Sequence, residues 1–254
     1  MKLLLDIGNT RIKWAYQNGD CLEQPGEFLH RGKTLNDVRA KLQQLPVQPQ
    51  QAALVNVAGP ELEDAIVDTL AARFGVATVR VRSASTWGDV VNGYADPAQL
   101  GADRWAAVVG AWQQYRSDVC VVDAGTAVTV DLVRADGQHL GGVILAGRQL
   151  ARQVLGVGTA DIAAFSAAAA GPGERDWFGR STHEAVERGA IFSLCATIER
   201  AAAEFPGRRE QQSAAPHVVL TGGDADILGS GLTIGADTRP LLVLEGLAYL
   251  ASGA

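Results

Sequence analysis

Cysteine is scarce: Cys21, Cys120 and Cys195 are the three thiols in 254 residues. No two of them stand at a spacing that holds a metal or cycles a dithiol. So sparse and odd a count excludes a disulfide framework and suits a reducing cytoplasm. The four histidines, His30, His139, His183 and His217, share no spacing and read as surface or ordinary core residues. Clustered positive charge is also missing. The net charge is −6, the isoelectric point is about 5.2 and the basic residues are scattered, which excludes a basic face for nucleic acid or anionic lipid. No apolar run is long enough to cross a bilayer, and the one lysine and three leucines between Met1 and Asp6 are too few for a signal peptide. The expectation is a cytoplasmic chain with neither nucleic acid nor membrane as partner.

What is present is a large apolar fraction, 47% of residues, enough for one large domain or two smaller ones. The most informative stretch runs from Cys120 to Val133, CVVDAGTAVTVDLV. β-Branched Val121 and Val122 lead into Asp123, Gly125 and Thr126. Alternating Val128, Val130 and Leu132 then run back, so the stretch reads as strand, tight turn and returning strand. The turn sets a carboxylate, a glycine and a hydroxyl at a strand tip. Amides freed there can face a phosphate that a bulky side chain would block, and the carboxylate can hold a metal or a polarised water. Residues 3–13, LLLDIGNTRIK, repeat the device: Leu4-Leu5-Asp6-Ile7-Gly8 lies over Val121-Val122-Asp123-Ala124-Gly125. One D-x-G-x-T is weak, whereas two of them half a chain apart predict two similar halves whose turns face a shared cleft.

In order, residues 3–28 predict a three-strand meander turning at Gly8-Asn9 and Asn18-Gly19-Asp20. Thr34 caps a helix with Leu35, Val38, Leu42 and Leu45 on its apolar face, stopped by Pro46 to Pro49. Ala52 to Val57 is a strand, Pro60 to Phe74 a helix closed by Gly75, and Val76 to Val81 another strand. A polar loop over 83–101 precedes a helix through Arg104 to Trp112, where Trp105 and Trp112 share a face that packs in the core or an interface. The second half opens at Val119 and continues through Asp136-Gly137 into His139 to Leu145. Gly147 starts a helix to about Leu155, and the Gly/Ala/Pro-rich 156–181 reads as a mobile loop. A long helix from Thr182 to about Phe205, a linker from Pro206 to Pro216, a strand His217 to Leu220 and a helix Leu241 to Leu250 complete the chain. This order fits an α/β fold of two ribonuclease-H-like halves, residues 1–116 and 117–254, each with a mixed five-stranded sheet, and with a cleft between them.

Several motifs together resemble one family. Asp6 to Lys13 is similar to the phosphate-1 motif of actin-like ATPases, Val121 to Thr129 to phosphate-2, and Leu220-Thr221-Gly222-Gly223 to the adenosine motif. Within that superfamily Asp6-Ile7-Gly8-Asn9-Thr10-Arg11-Ile12-Lys13, Gly101-Ala102-Asp103-Arg104 (G-x-D-R) and Gly141-Gly142 through Gly147 resemble the type III pantothenate kinases. The resemblance covers essentially the whole chain, in order. Ser181-Thr182 departs from the Asn-Thr usual in the family.

The resemblance implies ATP-dependent phosphorylation of pantothenate by a homodimer, with Mg2+ and a monovalent cation, K+ or NH4+. Asp6 would position magnesium through water, as suits an ion that keeps most of its waters. Residues 6–13, Asp6, Ile7, Gly8, Asn9, Thr10, Arg11, Ile12 and Lys13, would form the ATP-phosphate site with Thr126, although Lys13 reads equally well as a solvated strand lysine. Asp123 would hold the monovalent cation. Asp103 would be the base that takes the hydroxyl proton, and Arg104 the fork for the substrate carboxylate. Tyr94, Gly101 and Ala102 would line the same site. Thr182 would reach the pantothenate site across the dimer, or serve as a helix cap beside Ser181. Two rivals remain: another small-molecule kinase, against which G-x-D-R and the short length argue, and a non-catalytic regulator, against which retained Asp6, Asp103 and Asp123 argue.

Overall fold

A computed structural model describes residues 1–158, 177–205 and 215–252. The chain divides into two compact units: Met1–Gln114 with the stretch from Leu241 onward, and Tyr115–Pro240.

In the first unit, β1 (Lys2–Ile7), β2 (Arg11–Asn18) and β3 (Cys21–Leu29) form the expected antiparallel meander. Helix α1 (Leu35–Leu42) follows, then β4 (Gln51–Asn56), α2 (Pro60–Phe74), β5 (Thr78–Arg80), the short strands β6 (Thr86–Trp87) and β7 (Val90–Val91), and α3 (Ala102–Tyr115). The sheet order is β3-β2-β1-β4-β5, with β4 parallel to β1 and β5 parallel to β4. Leu3, Leu4, Leu5 and Ile7 of β1 are fully buried, so this central strand is covered on both faces and shows no polar alternation. Local chemistry sets the helix ends. Thr34 and Asp37 make a reciprocal capping box at α1, Pro60 opens α2, and Gly75 closes it at φ 68°, where a side chain would be strained. The hairpin of β6 and β7 replaces part of the expected loop, because two-residue strands leave no alternating pattern to read.

The second unit repeats the plan. β8 (Val119–Ala124), β9 (Ala127–Val133) and β10 (His139–Ala146) form a meander. Helices α4 (Arg148–Gly158) and α5 (Thr182–Ala203) follow, then β11 (His217–Thr221), α6 (Ala225–Gly231) and β12 (Asp237–Thr238). The order β10-β9-β8-β11-β12, with β11 parallel to β8 and β12 parallel to β11, matches the first sheet strand for strand. Helix α5 packs Ile191, Leu194, Cys195 and Ile198 with Cys120, Val122, Val128, Val130 and Leu220 of the sheet. The bulk of the expected 156–181 loop and of the 206–216 linker lies outside the described residues.

The last helix, α7 (Leu242–Leu250), packs on β1, β2 and β4 of the first unit, whereas dividing the sequence at residue 117 assigned it to the second half. The cause is a close helix crossing. A Cβ at Gly110 of α3 would lie 2.9 Å from the Gly246 amide nitrogen, and a Cβ at Gly246 would overlap the Ala106 carbonyl. Only glycine lets the two backbones approach so far.

Candidate active site

In the first unit the β1–β2 turn is built from Gly8, Asn9 and Thr10. The Gly8 amide donates to the Arg11 carbonyl at 3.1 Å, and Asp6 stands opposite Lys13 in the register. Paired residues share a face, so the Lys13 ammonium and the Asp6 carboxylate project from the same side of the sheet. Asp6 is 9% exposed, Asn9 is exposed and Lys13 is half-buried. Ile7 and Ile12 are fully buried in the core and contribute only backbone at this turn. Arg11 pairs with Glu27 of β3 at 2.5 Å, which ties it to the sheet edge.

The G-x-D-R segment makes the first turn of α3. The Gly101 carbonyl accepts from the Trp105 amide at 2.9 Å, and Asp103 Oδ1 accepts from the Arg104 amide at 2.7 Å. A Cβ at Gly101 would stand 2.6 Å from Asp103 Oδ1, so glycine leaves the carboxylate its room. Ala102 is buried beside it. Arg104, only 7% exposed, donates from Nη1 to the Tyr94 hydroxyl at 2.8 Å. The structure therefore joins Tyr94, Gly101, Asp103 and Arg104 in one place. Burying a guanidinium costs free energy unless its donors are satisfied and a partner anion is near.

The residue that fixes Tyr94 was not foreseen. Buried Asn92 accepts from the Tyr94 amide at 3.0 Å and donates from Nδ2 to the Ala84 carbonyl at 3.1 Å. Ser83 donates to the Leu100 carbonyl at 2.7 Å and ties down the base of the same loop. The Asn92-Gly93 pair signals a turn, but the loop-spanning bonds need the folded partners.

In the second unit Asp123 lies between Thr129 of β9 and Thr221 of β11 in the register. The turn is one residue shorter than its counterpart, with the Gly125 amide donating to the Ala127 carbonyl at 3.1 Å. Thr126 is exposed, and its carbonyl accepts from the Gly147 amide at 3.0 Å. A Cβ at Gly147 would come 2.6 Å from that same carbonyl oxygen. Gly222, at φ +92°, lies so close that its Cβ would meet Asp123 Oδ1 at 2.5 Å. The three glycine segments thus converge on the Asp123 turn. Arg148, next to Gly147, pairs with Asp224 at 3.3 Å and Glu187 at 3.4 Å. Burial disfavours the Arg148 charge, but the hydrogen bond and charge of Asp224, then of Glu187, outweigh it and raise its pKa above the ordinary value. Thr182 is the first residue of α5 and is exposed. Ser181, not Thr182, is the N-cap, accepting from the Glu184 amide at 3.2 Å.

Among the described residues no three histidine, cysteine, aspartate or glutamate side chains cluster as a metal site. Magnesium would rest on a single carboxylate with water and phosphate oxygens around it, which is its habit. None of the described helices is long and apolar enough to cross a membrane.

Two matched α/β units, each with an Asp-x-Gly turn after its first strand, define the actin-like ATPase and sugar-kinase class. Solved structures agree in fold. A protein of Campylobacter jejuni described as a Baf family transcriptional activator superposes with a TM-score of 0.61 at 21% identity, over 98% of this chain and 97% of that one. One of Sinorhizobium meliloti described as a 2-dehydro-3-deoxygalactonokinase gives 0.57 at 13% identity, over 99% and 98%. The family model for type III pantothenate kinase matches residues 2–204. The type III pantothenate kinase of Chromobacterium violaceum is 40% identical over 99% of this chain and 100% of its own length, and that of Thiobacillus denitrificans 35% identical over 98% and 96%. The chain belongs to the type III pantothenate kinase family.

Proposed function

We propose that this chain transfers the γ-phosphoryl group of ATP to the hydroxyl of pantothenate, forming 4′-phosphopantothenate, the first step of coenzyme A synthesis. Family membership carries the reaction. The observation that carries the residue roles is the Arg104–Tyr94 pair beside Asp103 on the first turn of α3. Arg104 binds the pantothenate carboxylate as a fork, oriented by the Tyr94 hydroxyl. Asp103 accepts the proton of the attacking hydroxyl. Its contact with the Arg104 amide leaves that role open, since a carboxylate has about four acceptor sites. Phosphoryl transfer depends mostly on positioning and charge stabilisation, with base catalysis adding to it.

ATP and Mg2+ are the cofactors. Magnesium, held by Asp6 through water, would neutralise charge on the phosphates. Gly8, Asn9 and Thr10 of the β1–β2 turn are the proposed phosphate contacts, Lys13 adds a cation beside Asp6, and Thr126 is a proposed ATP contact. Asp123 holds a monovalent cation, K+ or NH4+, which lowers repulsion between that carboxylate and the triphosphate. The chain works as a homodimer in the cytoplasm, with Thr182 reaching the partner's pantothenate site. Purified protein with ATP, Mg2+ and K+ or NH4+ should phosphorylate pantothenate and leave a sugar panel untouched. Turnover of a sugar in preference to pantothenate would overturn the assignment.

A further inference from the structure

The residues just past β3 hold the β1–β2 turn from outside. The Thr10 carbonyl accepts from the amides of both His30, at 3.0 Å, and Arg31, at 3.3 Å. The His30 ring reaches further. Its Nε2 lies 2.6 Å from the Gly8 carbonyl oxygen. A carbonyl can only accept, so Nε2 carries the hydrogen and donates it, which settles the tautomer of a neutral ring. His30 is half-buried, and its own carbonyl accepts from the Lys33 amide at 2.9 Å, which fixes the backbone that carries the ring.

The consequence follows from peptide geometry. In a planar trans peptide the C=O of one residue and the N–H of the next point in opposite directions. Anchoring the Gly8 carbonyl toward His30 therefore turns the Asn9 N–H to the other side. That amide has no acceptor among the described residues, whereas the Gly8 amide is spent on Arg11. Glycine at position 8 would otherwise leave this peptide plane free to rotate, because no side chain restricts its ψ. We infer that His30 is a positioning residue for nucleotide binding: by clamping the Gly8 carbonyl it presents the Asn9 amide to a phosphate oxygen of the triphosphate. The inference rests on reading residues 8–10 as a phosphate-facing turn. His30 touches no reacting atom and acts only through the backbone of that turn.

The test compares His30→Phe, which keeps ring volume without a donor, and His30→Ala with His30→Gln, whose amide nitrogen can donate to the same carbonyl. Steady-state constants for ATP and pantothenate are measured together with the melting temperature. Phe and Ala should raise KM for ATP about three- to tenfold, the effect of one net hydrogen bond. KM for pantothenate and the melting temperature should stay near those of the parent, and Gln should recover most of the loss. An unchanged KM for ATP in the Phe variant overturns the inference. So does a Gln variant as impaired as Phe, or a rise in both constants alongside a lower melting temperature. Asp6→Asn, assayed in parallel, separates the two levels. If it weakens ATP use while His30→Phe does not, the clamp is wrong and the phosphate turn stands; if neither variant affects ATP, the phosphate-turn reading falls as well.

Discussion

The guanidinium of Arg104 donates to the hydroxyl of Tyr94 at 2.8 Å, with its central carbon 5.5 Å from the centre of the same ring. One aromatic residue thus satisfies a donor of the buried cation and fixes its orientation, ten positions away across a loop. If this fork holds the substrate carboxylate, Arg104→Ala should raise KM for pantothenate by about ten- to a hundredfold, the scale of a charged hydrogen bond. The constant for ATP should move little. Arg104→Lys should recover little of the loss, because a lysine presents no planar fork. Tyr94→Phe should shift the same constant by a smaller factor. Initial-rate measurements over both substrates check all three.

Asp103→Asn keeps shape and removes basicity. The expected outcome is a fall in kcat of about a hundredfold or more, with the fold and ATP binding retained. Near-normal turnover by the Asn variant would exclude Asp103 as the base.

The Asp123 turn should respond to the monovalent cation. Replacing K+ with Na+ should depress activity, and Asp123→Asn should abolish the difference between the ions. Gly222→Ala is expected to impair turnover in any salt, since the new methyl group would meet Asp123 Oδ1 at 2.5 Å and φ is +92° there. Equal rates in K+ and Na+ for the parent protein would count against a cation at this turn.

Sedimentation at micromolar concentration should give a dimer, and Ile144→Asp, a charge at an exposed apolar position, should shift it to monomer. Thr182→Ala should then raise KM for pantothenate without changing the assembly. A fully active monomer would refute the shared site.

Thiol chemistry gives a test of the fold. Burial pushes Cys120 up to about 12 and Cys195 up to about 11, with Asp131 and Glu199 respectively adding to it. Both stay protonated in the native state near pH 8, while Cys21 is exposed. A disulfide exchange reagent should therefore titrate one thiol in the native protein and three after unfolding. The sign of the pH effect follows from the raised values. The unfolded thiols ionise near 9.0, so the stability these groups contribute is complete below that pH and is lost between 9.0 and about 12 as pH rises. Urea midpoints measured across pH 8 to 11 should fall accordingly.

Several features were legible because their causes are local. The buried run Leu3 to Leu5, the Thr34 box, Pro60 and Gly75 each act within a few residues, and the structure places strand, cap and helix ends where those residues demand them. The two Asp-x-Gly turns were visible for the same reason: each is one strand end and one hairpin. Where the cause is a distant partner, the sequence was silent. β12 and the β6–β7 hairpin are too short to carry a period. His30 reads as a surface or ordinary core residue until β3 folds back on β2 and brings its ring to the Gly8 carbonyl.

The amino-acid order alone determined the α/β class, the duplicated strand-turn-strand device and the carboxylates at its tips, since short-range sterics and hydrophobic period dictate them. Only the tertiary structure decided that Asn92 would orient Tyr94 and Tyr94 would orient Arg104. It also decided that α7 would leave the half in which it is encoded and close on α3 through Gly246 and Gly110. Those outcomes turn on close approach between segments far apart in the chain, and close approach depends on which backbones pack together, a quantity that no local pattern encodes.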